Sequence, residues 1–156
     1  MRSYVAPSPV SFEPRLKIFL AGSIEQGKAA EWQSEVIQRL LPFDVAVFNP
    51  RRSLWDPDLA QTLDSPVFVE QVNWELDQLQ LADIVFFYFQ AGTLSPISLL
   101  ELGLALNDRS VDVIVVCEPG FWRRGNIQLT CARADAKVLD TLDEGATMLL
   151  HHLSGE

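Results

Sequence analysis

The chain has 156 residues, 48% of them apolar, which is enough to bury one proper core but cramped for two, so a single domain is expected. A formal charge of −9 repels polyphosphate backbones and anionic membranes, and so excludes a nucleic acid polymer or a membrane surface as the expected partner. Cys117 and Cys131 have no CxxC neighbour and no histidine close by, and the two histidines, His151 and His152, stand near the C-terminus. The expectation is a reduced, cytoplasmic protein that works through carboxylates, with no metal and no cofactor.

Residues 1–15 mix Ser, Pro and charge without an apolar signal core, so they are expected to form a flexible arm ahead of a domain at 16–153. An apolar run at 16–21 reads as the first strand, and 27–41 as the helix that follows it. The second strand, 44–48, leads into "NPRRSLWDPD" and a long Pro-rich loop over 49–65. Next come a helix at 66–81, a strand at 83–89, a turn at 90–95 and a helix at 96–107. A strand at 111–117, a loop at 118–126, a short strand at 137–139 and a helix at 142–150 complete the series. Strands that are apolar almost throughout, alternating with helices, require a parallel sheet covered on both faces. The fold class predicted is α/β, a single Rossmann-like or flavodoxin-like domain of about five parallel strands flanked by helices on both faces. Ligands on such folds bind beyond the C-terminal strand ends where strand order reverses. The loops at 22–26, 49–65, 90–95 and 118–126 converge there.

The stretch "AGSIEQGK" spaces Gly22, Gly27 and Lys28 as a phosphate-cradling loop does. Ala29 stands where Ser or Thr would ligate magnesium, Glu25 would face the phosphates, and no strand ends in an aspartate. Nucleoside triphosphate hydrolysis is therefore set aside. A phosphorelay receiver is set aside too, because "GS" and "FQ" replace its acidic residues. A tight turn at Gly22 and Ser23 remains, which lets backbone amides approach a small polar ligand, or is simply a turn.

At about 100° per residue, Phe68, Val72, Leu76 and Leu79 form an apolar stripe with Glu75 in its middle and Asp77 opposite. A carboxylate on a buried face is costly unless it is paired, protonated or used. In "SPISLLELGLAL", Ser95 suits the N-cap and Pro96 the first helical position, and the helix is apolar on nearly every side, so burial is expected. Glu101 is its only ionisable residue. It lies near the positive helix end, where the ionised form is favoured even as burial opposes it. Such a group has the character of a nucleophile. For both glutamates the plainer reading, a core carboxylate bonded to its neighbours, stays open. Two carboxylates at one site suggest chemistry at an acetal-like carbon, one attacking the anomeric carbon while the other protonates the leaving group.

With "FLAGSI" on the first strand, "NPRR" after the second, and "VNWELDQLQLADIVFFYF" followed by "SPISLLELGLAL", the chain resembles the nucleoside 2-deoxyribosyltransferase family over residues 17–132. The resemblance implies transfer of 2′-deoxyribose between nucleobases through a deoxyribosyl ester on Glu101, with Glu75 binding and protonating the base. It also implies that Asn126, in "RRGNIQL", reaches the sugar in a neighbouring subunit, and hence a homo-oligomer. Two departures stand out. Ser95 occupies a place where many members carry an aspartate to the sugar 5′-hydroxyl, and Phe19 or Ile18 replaces a common first-strand tyrosine. Ser95 repels a 5′-phosphate less than a carboxylate would.

The candidate substrate contacts are Gly22, Ser23, Phe19, Asn49, Arg51, Trp55, Asp56, Trp74, Ser95 and Asn126, beside the catalytic pair Glu101 and Glu75. Trp55 is placed to stack on a base and Asp56 to bond its edge, with Trp74 and Trp122 as further aromatic candidates, though such residues are more often core. Arg51 and Arg52 suit a phosphate, or the protein's own carboxylates. Two other functions compete with deoxyribosyl transfer. One is hydrolysis of nucleoside 5′-monophosphates on the same fold, and the other is a non-catalytic nucleotide-binding module.

Overall fold

Apolar strand residues pointing alternately to either side build a six-stranded, all-parallel sheet in the computed structural model, which describes residues 1–10, 16–52, 56 and 58–155. The strands are β1 (Arg2–Val5), β2 (Lys17–Gly22), β3 (Ala46–Asn49), β4 (Ile84–Phe89), β5 (Asp112–Cys117) and β6 (Val138–Leu139). Their spatial order is β1-β3-β2-β4-β5-β6, and every neighbouring pair is parallel. The helices are α1 (Trp32–Leu40), α2 (Pro66–Leu81), α3 (Pro96–Asn107), α4 (Arg124–Arg133) and α5 (Leu142–Ser154). From β2 the chain steps outward to β3 and then returns past β2 to β4, so strand order reverses between β2 and β4. That makes the fold doubly wound, with its ligand crevice above those two strands.

Period-two alternation divides the core in two. Phe19, Phe48, Val85, Phe87, Phe89 and Val115 face Trp74 and Leu79 of α2, Leu102 and Ala105 of α3, and Ile127 and Cys131 of α4. Ile18, Leu20, Val47, Phe86, Tyr88 and Val116 face Trp32, Val36 and Leu40 of α1 and Leu149 of α5. At Gly22, with φ of 142°, an added Cβ would lie 2.1 Å from the Tyr88 carbonyl oxygen, so only glycine allows β2 to end against β4.

Four features differ from the sequence expectation. The described part of the expected flexible arm, residues 1–10, is docked: β1 runs parallel to β3, the amides of Arg2 and Ala6 donate to the carbonyls of Val45 and Asn49, and Trp74 Nε1 donates to the Ser8 carbonyl at 2.9 Å. Its short mixed sequence hid an edge strand that is held mainly by backbone bonds. The first helix begins at Trp32, five residues later than expected, because Glu25 and Gln26 take left-handed backbone angles. Arg51 instead binds the carbonyls of Gly27, Ala29 and Ala30. α4 was not expected, since Ile127 and Cys131 alone anchor it in the core. Finally, α3 is not enclosed: Ile97, Leu100 and Leu104 are 59%, 63% and 51% exposed.

Candidate active site

The strand-order reversal opens a cavity of about 1080 Å³ whose walls come from the β2–α1 loop, the residues after β3, α2, and the β4–α3 turn with α3 itself. Glu75 on α2 and Glu101 on α3 both line it. The apolar stripe read on α2 splits in two. Phe68, Val72 and Leu76 line the cavity together with Gln71 and Glu75, while Trp74 and Leu79 pack into the sheet core. Leu100 and Leu104 of α3 form part of the opposite wall. The site is therefore a largely apolar crevice carrying two carboxylates.

Glu101 is 7% exposed, and no ion pair to it occurs among the described residues. Burial, reinforced by the charge of Glu75, pushes its carboxyl up to about 8, and the nearby Ser98 hydroxyl only partly offsets this. Burial thus outweighs the helix-end effect expected from the sequence. Glu75 is also raised, mainly by burial, while a hydrogen bond from Gln71 and the charge of Arg52 pull it back. Gln71 donates from Nε2 to Glu75 and to the Pro50 carbonyl, and accepts from Arg52 Nε at its own oxygen. Both carboxyls are therefore held toward their neutral forms, chiefly by burial, and the charge of Glu75 adds to the effect on Glu101.

Beneath the opposite end lies a buried hydroxyl cluster. Ser23 Oγ bonds Thr93 Oγ1 at 2.7 Å and Ser95 Oγ at 2.9 Å, and accepts from the Gln90 amide. Ser98 Oγ donates to the Gly22 carbonyl. Ser95 does stand at the α3 N-cap, but it is left-handed and its hydroxyl turns into this cluster and makes no cap bond. The Leu94 and Ser95 amides bond Glu25 instead, each at 2.8 Å.

Of the residues singled out from the sequence, Glu75, Glu101, Gly22, Ser95 and Asp56 line the cavity. Ser23 lies directly behind it, fully buried. Five others are placed elsewhere. Phe19 has no exposed surface and belongs to the sheet core. Trp74 packs edge-on to Phe48 and is core as well. Asn49 accepts the Arg51 amide, and Arg51 is buried with its guanidinium on backbone carbonyls, so both shape the loop from within. Asn126 lines a different cleft, of about 400 Å³, between α3 and α4, next to Trp122 and Arg123. Trp55 lies outside the described residues. Sequence reasoning missed Gln71 and Glu25 as site residues. Gln71 stands one helical turn before Glu75, a spacing that points to a bonded pair. Nothing local marks the partner of Glu25.

A doubly wound domain with paired carboxylates in an apolar crevice at its strand-order reversal is a small-ligand site of the carboxylate type. The chain belongs to the family described as "Nucleoside 2-deoxyribosyltransferase like", whose profile matches residues 15–121. Membership supports a general nucleoside-modifying role and suggests a glycosyl-transferring enzyme. Among solved structures, the chain is similar to a conserved protein from Enterococcus faecalis V583, with a TM-score of 0.61 and 10% identity, over 88% of this chain and 99% of that one. That likeness is one of fold. No curated protein matches the chain significantly. Among the described residues no helix is long and apolar enough to cross a membrane.

Proposed function

We propose that the protein transfers 2′-deoxyribose from one nucleobase to another through a covalent intermediate on Glu101. The observation that carries this reading is the buried Glu101 carboxyl, with no ion pair to it among the described residues, lining one crevice with a second carboxyl, Glu75, whose charge raises it further. A carboxylate oxygen of Glu101 attacks C1′ as the C1′–N bond breaks, and the departing base takes a proton from Glu75. The sugar is then held as an ester. A nitrogen of a second base attacks C1′, its proton goes to Glu75, and the Glu101 carboxylate is released. Two inversions give retention.

The proton must lie on Glu75 when Glu101 attacks. A bound base shields Glu75 further from water and favours its neutral form, and the positive charge developing at C1′ favours ionised Glu101. The same reading includes an assembly of several copies. Ile97, Leu100 and Leu104 form an unburied apolar row on α3, Gly103 faces open space, and Asn126 lies across α3 from the chain's own cavity. A neighbouring copy would cover that row and bring its Asn126 to the sugar.

Incubation with deoxyinosine and free adenine, without phosphate or metal, tests the reaction by chromatography. Deoxyadenosine should accumulate as deoxyinosine falls. Hypoxanthine with free deoxyribose and no new nucleoside would replace transfer by hydrolysis.

A further inference from the structure

We propose that Glu25 sets the substrate class of this cavity, filling its anion-accepting end with the protein's own carboxylate so that an uncharged sugar terminus is admitted and a phosphate is refused. The inference rests on the nucleoside reading above and deepens it.

Two consecutive backbone amides, those of Leu94 and Ser95, converge on one oxygen of Glu25 at 2.8 Å each. Successive amides turned the same way by a left-handed residue form a nest that accepts an anion, and Ser95, with φ and ψ both 47°, is that residue. The nest opens on the cavity, whose lining includes Glu25, Leu94, Ser95 and Glu101. Glu25 and Gln26, which carry the carboxylate to the nest, take left-handed φ angles of 48° and 53°. Glu25 Oε2 has no hydrogen-bond partner among the described residues and can accept a bond from a hydroxyl.

Which part of a nucleoside meets the nest follows from α3. Ser98 stands three residues before Glu101 on the same face of α3 and lines the cavity with it, which puts the anomeric carbon near Ser98. Ser95 lies one turn earlier, about 4.5 Å along the helix axis. A furanose anchored at C1′ over Glu101, with its base toward Glu75, extends its 5′ end toward Ser95 and Glu25. A 5′-hydroxyl donates to Glu25. A 5′-phosphate meets like charge at close range where its natural acceptor site is already taken. Lys28, which also lines the cavity, is the cation a phosphate would have to recruit after expelling Glu25. The carboxylate missing at position 95 is thus supplied from a different loop.

The test compares a 2′-deoxynucleoside with its own 5′-monophosphate, by equilibrium binding and by initial rates, on wild type, Glu25→Gln and Glu25→Ala. Wild type should favour the nucleoside by about tenfold or more, and both variants should shift that ratio toward the monophosphate by about tenfold. Inorganic phosphate should fail to compete with the nucleoside on wild type, a measurement that needs no variant. A wild-type preference for the monophosphate, an unchanged ratio in a folded variant, or competition by inorganic phosphate overturns the inference. If both ligands bind but neither is turned over, the binding ratio still decides it, and the transfer reading alone falls. If neither binds, both fall.

Discussion

The two faces of the sheet are finished to different degrees. On one, α1 and α5 bury their apolar sides and turn polar residues outward, with Met148 as their one exposed large apolar residue among those described. Arg39 of α1 ties them together, donating at 2.8 Å both to Glu35 on its own helix and to Asp143 on α5. On the other face, α2 and α3 expose Val67, Leu76, Leu81, Ile97, Leu100 and Leu104, and two carboxyls there resist ionisation. Unsatisfied apolar surface and unsatisfied charge lie together beside the strand-order reversal. Both faces pack a buried core against the sheet, and only the second leaves apolar surface uncovered beside its carboxyls.

Replacing Glu101 by Gln should separate activity from stability most sharply. Transfer should fall by roughly 10³-fold or more, because an amide cannot form the sugar ester. Stability should move the other way. The folded Glu101 binds its proton more tightly than an unfolded glutamate, so its contribution is full at acid pH and is lost as pH rises toward about 8. Melting temperatures of the two proteins should therefore converge at low pH, and Glu101→Gln should be the more stable above about pH 8. A variant that is less stable there would mean that Glu101 serves the fold, and that the asymmetry between the faces is not functional.

The exposed row on α3 should have a smaller effect on the single chain and a larger one on assembly. Leu100 is 63% exposed, so Leu100→Lys should change monomer stability by no more than about 0.5 kcal/mol. Sedimentation should show wild type as an oligomer and the variant shifted toward monomer. A wild type that sediments as a monomer would leave this face open to ligand only.

The sequence made the layered architecture legible because parallel strands are apolar over their whole length, and α2 and α3 carry a proline at their first position. α4 and β1 were not legible. Each contributes little apolar burial of its own and is held by backbone bonds or by a pair of anchoring side chains. The two glutamates could be found because a carboxylate on an apolar helix breaks the pattern. Phe19, Trp74 and Arg51 were read as ligand contacts because residue type says what a side chain can bind, whereas strand register and the path of the 24–31 loop decide which way it faces. Glu25 was visible as an oddity in "AGSIEQGK", but its partner amides lie about seventy residues away, a long-range pairing that no local pattern encodes.

The smallest effect belongs to the finished face and serves as the control for the comparison. Arg39 reaches both its partners across solvent-accessible ground, with side-chain exposure of 31% for the arginine and 76% for Asp143. Exposed pairs gain little because water screens the charges and two long side chains lose freedom. Arg39→Ala should therefore lower stability by under about 1 kcal/mol, with the difference shrinking further as salt is raised. It should leave deoxyribosyl transfer and the nucleoside preference unchanged, since α1 and α5 pack on the side of the sheet away from Glu75 and Glu101. A marked loss of transfer would mean that the two faces are coupled through the sheet, and that the polar shell of α1 and α5 helps to position the β2–α1 loop and Glu25.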